Sequence, residues 1–477
     1  MSATLTPAAT RVPARVPVWI GALIVGLSLL VGLAAGDPSP LWSLPLEALA
    51  GCALLYASAR RPFESFLVIL GSCILLVVVR VTEMRAVNPF DVLMPPVLLV
   101  SLFGRTRHEA RAHPETGLAH DAMNFAERRL TRAVAVFYVL AALSLLQLAR
   151  LAGTAAALDS ALLLTRAVQG LLFYPLATWW LRTPERIAQA WNALVVAGAL
   201  LAVVNIVGVA AFGVTRAGMA LYLNDPAEPL ASPNEAGTAT LVVAVVLMIR
   251  HAMRPHWTNP VLGALMIALL GLTQSRSGIL AWATFGLFTL RWVRPSRVVA
   301  GILVIAALLP LMPQSFWIRM LHSVTVAKGS FAAFSFFQRV YGWQAAWGVV
   351  RDHPLTGIGY LGFRFVSHSY NALQAVLVTV ENYYYEILVS MGLVGLAVLA
   401  VVIVRLFQVG RAVARTAPRG TLAYQMARFH APLMLSLLVA NMTGDNFMGV
   451  LGLAQVAMWT AVLVRSGHDA AAQVAPV

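Results

Sequence analysis

Long apolar segments recur along the whole chain, and short polar connections separate them. Most of these segments have roughly 17 or more residues, enough for a helix to cross about 30 Å of hydrocarbon. The pattern predicts an all-α, polytopic transmembrane bundle of about 12–14 helices. The predicted spans are residues 17–36, 41–58, 63–80, 88–104, 131–150, 158–181, 187–212, 235–250, 257–273, 277–293, 297–313, 383–404, 427–443 and 447–465.

The composition favours the same class of protein. Of the 477 residues, 60% are hydrophobic and 11% are charged, whereas soluble domains carry about 25% charged residues. The formal net charge of +15 comes almost entirely from arginine. Arginine in short connections sets membrane topology, so the charge predicts no nucleic-acid partner. Cys52 and Cys73 lie in apolar segments and indicate no disulfide framework.

The arginines also predict which connections face the cytoplasm. Arginine-rich connections follow every even-numbered predicted helix, as Arg60 and Arg61 do after the second. Cytoplasmic loops are enriched in arginine, so both termini are predicted to be cytoplasmic and the odd-numbered connections to lie outside. We divide the chain into transmembrane helices over 1–313, a large outer loop with amphipathic helices over 314–382, and C-terminal transmembrane helices over 383–477.

Of the arginines on the predicted outer side, Arg216, Arg276 and Arg339 are the ones that run against this bias without an evident cause. Arg319, Arg351 and Arg364 share the long outer loop, and long loops cross the membrane largely regardless of charge. A guanidinium group offers a planar fork of donors that suits phosphate oxygens, so Arg216, Arg276 and Arg339 are candidates for an anion site. Snorkelling toward lipid headgroups is the alternative. Arg276 lies in the turn "TQSRSG", where we expect Gly278 to allow a backbone conformation that other residues resist.

Candidate bases lie near the same predicted face. Glu381 precedes the predicted helix 383–404, and a carboxylate at the membrane edge suggests function, although it would also suit the helix dipole. His368 is a second candidate, because histidine titrates near neutral pH. Glu386 is assigned a structural role, and the tyrosines from Tyr383 onward are interfacial residues or sugar-stacking groups. The sequence contains no HExxH or CxxC cluster, so neither a metal nor a cofactor is predicted.

Two motifs carry a resemblance to a known family. They are the "SRSG" turn and the outer segment that includes "HPLTGIGYLGF" and "ENYYYEILVSMGLVGL". Together they resemble the O-antigen ligase/polymerase superfamily of bacterial envelope glycosyltransferases. The family pattern "HN-x-x-L-x-x-L-x-x-x-G-L-x-G" is matched at Asn382, Leu388, Gly392, Leu393 and Gly395. The connection "TRAGMALYLNDPAEPLASPNEAG" resembles the family's Arg-then-Asn loop, which points to Arg216 and Asn234.

The resemblance implies a metal-independent, inverting glycosyltransferase with a GT-C-like fold in the bacterial inner membrane and an active site that faces the periplasm. Donor and acceptor would be undecaprenyl-diphosphate-linked oligosaccharides, with membrane lipids and a chain-length regulator as further candidate partners. Glu381 occupies the position where ligases of the family typically carry histidine. This departure favours an O-antigen or exopolysaccharide polymerase.

The chemistry implied by the resemblance assigns a role to each candidate residue. Glu381 would be the base, with His368 in reserve. The arginines at 216, 276 and 339 would stabilise the departing diphosphate, and substrate would contact Asn234, Asn382 and Tyr383. Two alternatives stay open: a ligase that transfers the glycan to lipid A–core or another acceptor, and a transporter or flippase of anionic lipid-linked solutes. The absence of a visible internal repeat disfavours transport.

Overall fold

The computed structural model describes only part of the chain. The described residues are 60–74, 76–82, 85–87, 94, 97–98, 118–212, 220–222, 233–292, 295–312, 314, 316–318, 331–370, 379–444, 447–448 and 450–472. The predicted spans 17–36 and 41–58 lie outside these residues, as does most of the span 88–104.

Helices dominate the described residues and confirm the predicted all-α class. In chain order the elements are α1 (Pro62–Ser72), β1 (Leu76–Thr82), β2 (Arg85–Val87), α2 (Leu118–Ala152), α3 (Thr154–Trp180), α4 (Pro184–Phe212), β3 (Ala220–Tyr222), α5 (Pro233–Met253), α6 (Thr258–Thr273), α7 (Arg276–Thr289), α8 (Pro295–Leu308), α9 (Phe331–Asp352), α10 (Phe363–Val366), α11 (Tyr383–Thr416), α12 (Leu422–Ala440) and α13 (Val450–Ala472).

Five helices in the described part of the chain are long and apolar enough to cross a membrane. The spanning segments are Met123–Ala152, Thr154–Trp180, Pro184–Val209, Pro233–Met253 and Tyr383–Thr416. The chain is therefore an integral membrane protein. Two of these helices extend more than ten residues beyond the predicted spans, since α2 begins at Leu118 and α11 continues to Thr416. Arg128 and Arg411, which fall between the predicted spans, consequently lie on helical extensions.

The predicted span 63–80 is wrong in its second half. Helix α1 ends at Ser72, and β1 begins at Leu76. Strand β1 pairs antiparallel with β2 and parallel with β3, which gives a small sheet in the order β2-β1-β3. The sequence of β1 is "LVVVRVT", in which four valines and a threonine are β-branched. Such side chains favour strands over helices, so hydropathy alone misassigned this segment.

Two helices that carry candidate site residues cross closely near their starts. A Cβ atom at Gly278 of α7 would lie 2.8 Å from the Cα atom of Gly237 in α5, which is closer than real contacts allow. Glycine at both positions therefore lets the first turns of α5 and α7 touch. The other end of α7 packs among aromatic rings, where Phe285 stacks with Phe429 of α12 at 6.1 Å between ring centroids.

Helix α11 is interrupted at Gly392, whose backbone has φ 65° and ψ −164°. The loop that follows α9 satisfies the backbone groups which the break leaves unpaired. Ile358 N–H donates to the Val389 carbonyl at 3.0 Å, and Leu393 N–H donates to the Pro354 carbonyl at 2.9 Å. A membrane protein tolerates a broken helix where other protein groups complete its hydrogen bonds, and this loop does so.

Candidate functional site

The turn that carries Arg276 joins α6 to α7. Gln274 ends α6 in the left-handed conformation at φ 50°, and Ser275 caps α7 by accepting a hydrogen bond from Gly278 N–H at 3.0 Å. Arg276 is the first residue of α7. The expectation that Gly278 supplies an unusual turn conformation is wrong, because Gly278 is helical and Gln274 takes the positive φ. Gly278 is instead required by the close crossing with Gly237.

Asn234 lies in the first turn of α5, beside the same turn. Its side-chain oxygen accepts a hydrogen bond from Ser275 Oγ at 2.8 Å, and Ser275 Oγ also lies 3.0 Å from Ser277 Oγ. The structure therefore brings Asn234 next to the residue that precedes Arg276. This contact joins two motifs that lie about forty residues apart in the sequence.

Arg339 and Glu381 form an ion pair. Arg339 comes from α9 and Glu381 from the segment before α11. Both Nε and Nη2 of Arg339 lie 2.5 Å from Oε2 of Glu381. The side chains are 23% and 36% exposed, so the pair is partly shielded yet accessible. The structure thus places the predicted base directly against one of the predicted diphosphate ligands.

Arg276 shares the electrostatic environment of this pair. Burial and the positive charge of Arg339 lower the pKa of Arg276, and the negative charge of Glu381 opposes the shift. Within the described part of the chain, the buried Nε atom of Arg276 has no hydrogen-bond partner. Two guanidinium groups and one carboxylate therefore lie within electrostatic range of one another, with an excess of positive charge suited to an anion.

Three helix N-termini supply the backbone of this region. Helix α5 begins at Pro233, directly before Asn234. Helix α7 begins at Arg276 itself, and α11 begins at Tyr383, two residues after Glu381. The N-terminus of a helix carries a partial positive charge and unpaired N–H groups, both of which favour a bound anion. Helix dipoles and arginine side chains consequently both favour the binding of an anion here.

The family comparison covers most of these residues. Residues 261–400 match the family model described as O-antigen ligase. This part of the chain is therefore similar to the O-antigen ligase family. The matched segment includes Arg276, Arg339 and Glu381, whereas Asn234 and Arg216 precede it. A search of curated proteins found no match.

Two residues predicted to contact substrate have clear structural roles. Asn382 caps α11, where its side-chain oxygen accepts from Tyr385 N–H at 3.0 Å and its amide nitrogen donates to the Met442 carbonyl at 3.0 Å. Tyr383 is only 4% exposed, and its ring packs edge-on against Phe447. An asparagine directly before a helix is a common N-cap, so the sequence contained this signal. Substrate contact by Asn382 and Tyr383 stays a prediction.

The reserve base is not joined to the cluster formed by Arg276, Arg339 and Glu381. His368 is exposed in the short turn Ser367–Tyr370, and within the described residues it forms no hydrogen bond or ion pair with Arg339 or Glu381. Arg216 lies outside the described residues. The roles of His368 and Arg216 stay predictions.

Two further side chains hold the segment that carries Glu381. Trp343 Nε1 donates to the Val380 carbonyl at 3.1 Å, and Glu386 Oε2 accepts from Val380 N–H at 3.3 Å. The sequence pattern predicts no site role for Trp343 and a structural role for Glu386. The available signal was position: Trp343 follows Arg339 by four residues, which places both on one side of α9.

Proposed function

We propose that the chain is a polysaccharide polymerase. It would transfer a growing O-antigen or exopolysaccharide chain from its undecaprenyl-diphosphate carrier to the next lipid-linked repeat unit, on the periplasmic face of the inner membrane. The observation that supports this proposal best is the convergence of Arg276, Arg339 and Glu381 inside the superfamily segment. A basic site for a diphosphate and a carboxylate beside it are what this transfer requires.

In the proposed step, a sugar hydroxyl of the acceptor attacks the anomeric carbon of the donor. The new carbon–oxygen bond forms with inversion while the bond to the carrier diphosphate breaks, and the diphosphate departs with the electron pair. Glu381 accepts the proton of the attacking hydroxyl as a general base. The carboxylate is 36% exposed, so a hydroxyl group of a bound sugar could reach it.

Arg276 and Arg339 would stabilise the charge that develops on the leaving diphosphate. Fixed cations in a partly shielded site act without reorganising during the reaction, which makes such stabilisation effective. A guanidinium group has five N–H donors, so the contact of Arg339 with Glu381 leaves further donors for a phosphate oxygen. Arg339 would therefore orient the base and bind the leaving group at once.

A ligase is the second candidate, because the matching family model is described as O-antigen ligase. Ligase and polymerase would share the donor and the diphosphate site, and would differ in the acceptor. Glu381, at the position where ligases of the superfamily typically carry histidine, favours the polymerase. The superfamily match supports glycosyl transfer rather than transport.

The acceptor distinguishes the two candidates. The purified protein in lipid nanodiscs would receive a synthetic undecaprenyl-diphosphate-linked repeat unit, first alone and then with lipid A–core. A polymerase produces a ladder of multi-unit, lipid-linked products from the repeat unit alone. A ligase produces nothing until lipid A–core is added. The absence of product under both conditions, from a well-folded protein, would contradict the proposed function.

A further inference from the structure

Glu381 has an uncommon backbone conformation. Its φ of 50° lies in the left-handed region, which residues other than glycine adopt only when their surroundings hold them there. Three hydrogen bonds hold this segment: Glu381 N–H donates to Thr379 Oγ1 at 3.1 Å, Trp343 donates to the Val380 carbonyl, and Glu386 accepts from Val380 N–H. The direction in which the Glu381 side chain points therefore depends on these contacts.

Glu386 is the most deeply buried of these side chains. It lies in the first turn of α11 and is 2% exposed. One carboxylate oxygen accepts from Val380 N–H at 3.3 Å, and the other accepts from Ser390 Oγ at 3.3 Å. Burial of a carboxylate is costly unless hydrogen bonds compensate for lost water. A carboxylate offers two acceptor oxygens, and this site uses both.

Ser390 extends the contact to the break in α11. Its hydroxyl oxygen accepts from Leu361 N–H at 3.1 Å, and its carbonyl accepts from Gly359 N–H at 2.8 Å. Both donors belong to the loop that completes the backbone hydrogen bonds around Gly392. Glu386 therefore connects the segment bearing Glu381 to the loop inserted at the break.

We propose that Glu386 is a positioning residue for the transfer reaction. Its buried carboxylate fixes the backbone of Val380, and thereby holds Glu381 in the left-handed conformation that directs its side chain to Arg339. Through Ser390, this orientation is tied to the loop at the helix break. The proposal deepens the proposed function and rests on it, because a fixed base is of use only if Glu381 accepts a proton.

The substitution Glu386→Gln tests the proposal with little change in volume. An amide has one acceptor oxygen and an NH₂ donor, so either Val380 N–H or the Ser390 hydroxyl loses its acceptor. We expect kcat to fall by on the order of 10²-fold, the loss that a displacement of about 1 Å causes. We expect KM for the lipid-linked donor to stay unchanged, since Arg276 and Arg339 are retained. We also expect faster hydrogen–deuterium exchange of the Val380 and Glu381 amides.

Glu127→Gln is the matched control. Glu127 is a half-buried carboxylate of α2 that accepts a hydrogen bond from Tyr174 at 2.7 Å. It lies 17 residues, or about 25 Å along the helix, from Ser144, which contacts the inserted loop at Tyr360 N–H. This variant should keep the wild-type kcat and the wild-type exchange at Val380.

The outcomes separate this inference from the proposed function. A folded Glu386→Gln protein with wild-type kcat, or with wild-type exchange at Val380 and Glu381, overturns the positioning role. If the wild-type protein transfers no glycan, the proposed function fails, and the exchange measurement alone then decides whether Glu386 holds the segment. If Glu386→Gln does not fold, Ser390→Ala carries the test. It should lower kcat at constant KM and raise the exchange at Val380, and wild-type values of both would overturn the proposal.

Discussion

At the residue scale, the surroundings of Arg276 favour a role in ligand binding over a role as a membrane anchor. It lies on the predicted outer side, where arginine opposes the orientation bias. Its buried Nε has no hydrogen-bond partner in the described part of the chain, while Arg339 and Glu381 act on its charge. Snorkelling needs only length and positive charge, whereas binding of a diphosphate uses the planar donor fork.

We expect Arg276→Lys to be expressed normally and to lose most polymerisation. The loss should be about tenfold or more, because a hydrogen bond to a charged group contributes about 1.5–3 kcal/mol. The measurement is the rate of ladder formation from the lipid-linked repeat unit. Arg351→Lys is the control, since Arg351 is exposed at the far end of α9 and contacts the Trp347 ring. Wild-type activity in Arg276→Lys would make Arg276 a membrane anchor.

Glu381→Gln should retain the fold and the binding of the lipid-linked donor. Its polymerisation rate should fall by roughly 10²–10⁴-fold, the range typical for loss of a general base. Asp159→Asn provides a matched control, because Asp159 forms an ion pair with Arg364 at 2.7 Å rather than with Arg276 or Arg339. A nearly normal polymerisation rate in a well-folded Glu381→Gln protein would indicate that His368 or another acidic residue is the base.

At the element scale, the break in α11 depends on one glycine. The φ and ψ of Gly392 belong to a region that only glycine populates readily, and a Cβ atom there would lie 2.2 Å from the backbone of Leu355. We expect Gly392→Ala to lose stability by about 1–3 kcal/mol from the backbone conformation alone, and more from the clash. Thermal unfolding in detergent measures this change.

Gly286→Ala serves as the control for that measurement. Gly286 lies inside α7, and an added Cβ would meet no atom within 4 Å. Alanine is favoured over glycine in a helix by up to about 1 kcal/mol, so this variant should be unchanged or slightly more stable. A Gly392→Ala protein as stable as Gly286→Ala would show that the break is not required.

The sequence allowed the long helices to be predicted well, because apolar length is a strong signal. The spans 158–181 and 187–212 agree closely with α3 (Thr154–Trp180) and α4 (Pro184–Phe212). The signal failed at residues 63–80, where one long apolar stretch contains both helix α1 and the β-branched residues of strand β1. It also could not show the break at Gly392, because the loop that completes the broken helix is about thirty residues away in sequence.

Prediction of the site was partial for a similar reason. The charges of Arg276, Arg339 and Glu381 could be recognised individually, and the family motif supported Glu381. The ion pair of Arg339 with Glu381 and the electrostatic influence of both on Arg276 depend on tertiary structure, which periodicity does not specify. The capping role of Asn382 and the burial of Tyr383 likewise follow from packing. Residue type identified the candidates, and tertiary structure decided which of them meet.

At the scale of the whole molecule, the proposed function depends on which side of the membrane the cluster of Arg276, Arg339 and Glu381 faces. The arginine distribution predicts that the segment 314–382 is periplasmic. In a background with Cys52 and Cys73 replaced, Ser369→Cys should react with an impermeant thiol reagent on intact spheroplasts, because Ser369 is exposed in that segment. Ala252→Cys, exposed near the opposite end of α5, should react only after lysis. The reverse labelling pattern would show that the topology is opposite to the predicted one.

The proposed function requires the anionic headgroup of the lipid carrier to bind at Arg276. The most direct measurement is the affinity of the purified protein for undecaprenyl diphosphate without a glycan, compared among wild type, Arg276→Ala and Arg351→Ala. We predict that Arg276→Ala weakens binding by about 10–100-fold, as loss of a charged hydrogen bond implies, and that Arg351→Ala matches the wild type. Equal Kd values for all three proteins would show that Arg276 does not bind the diphosphate.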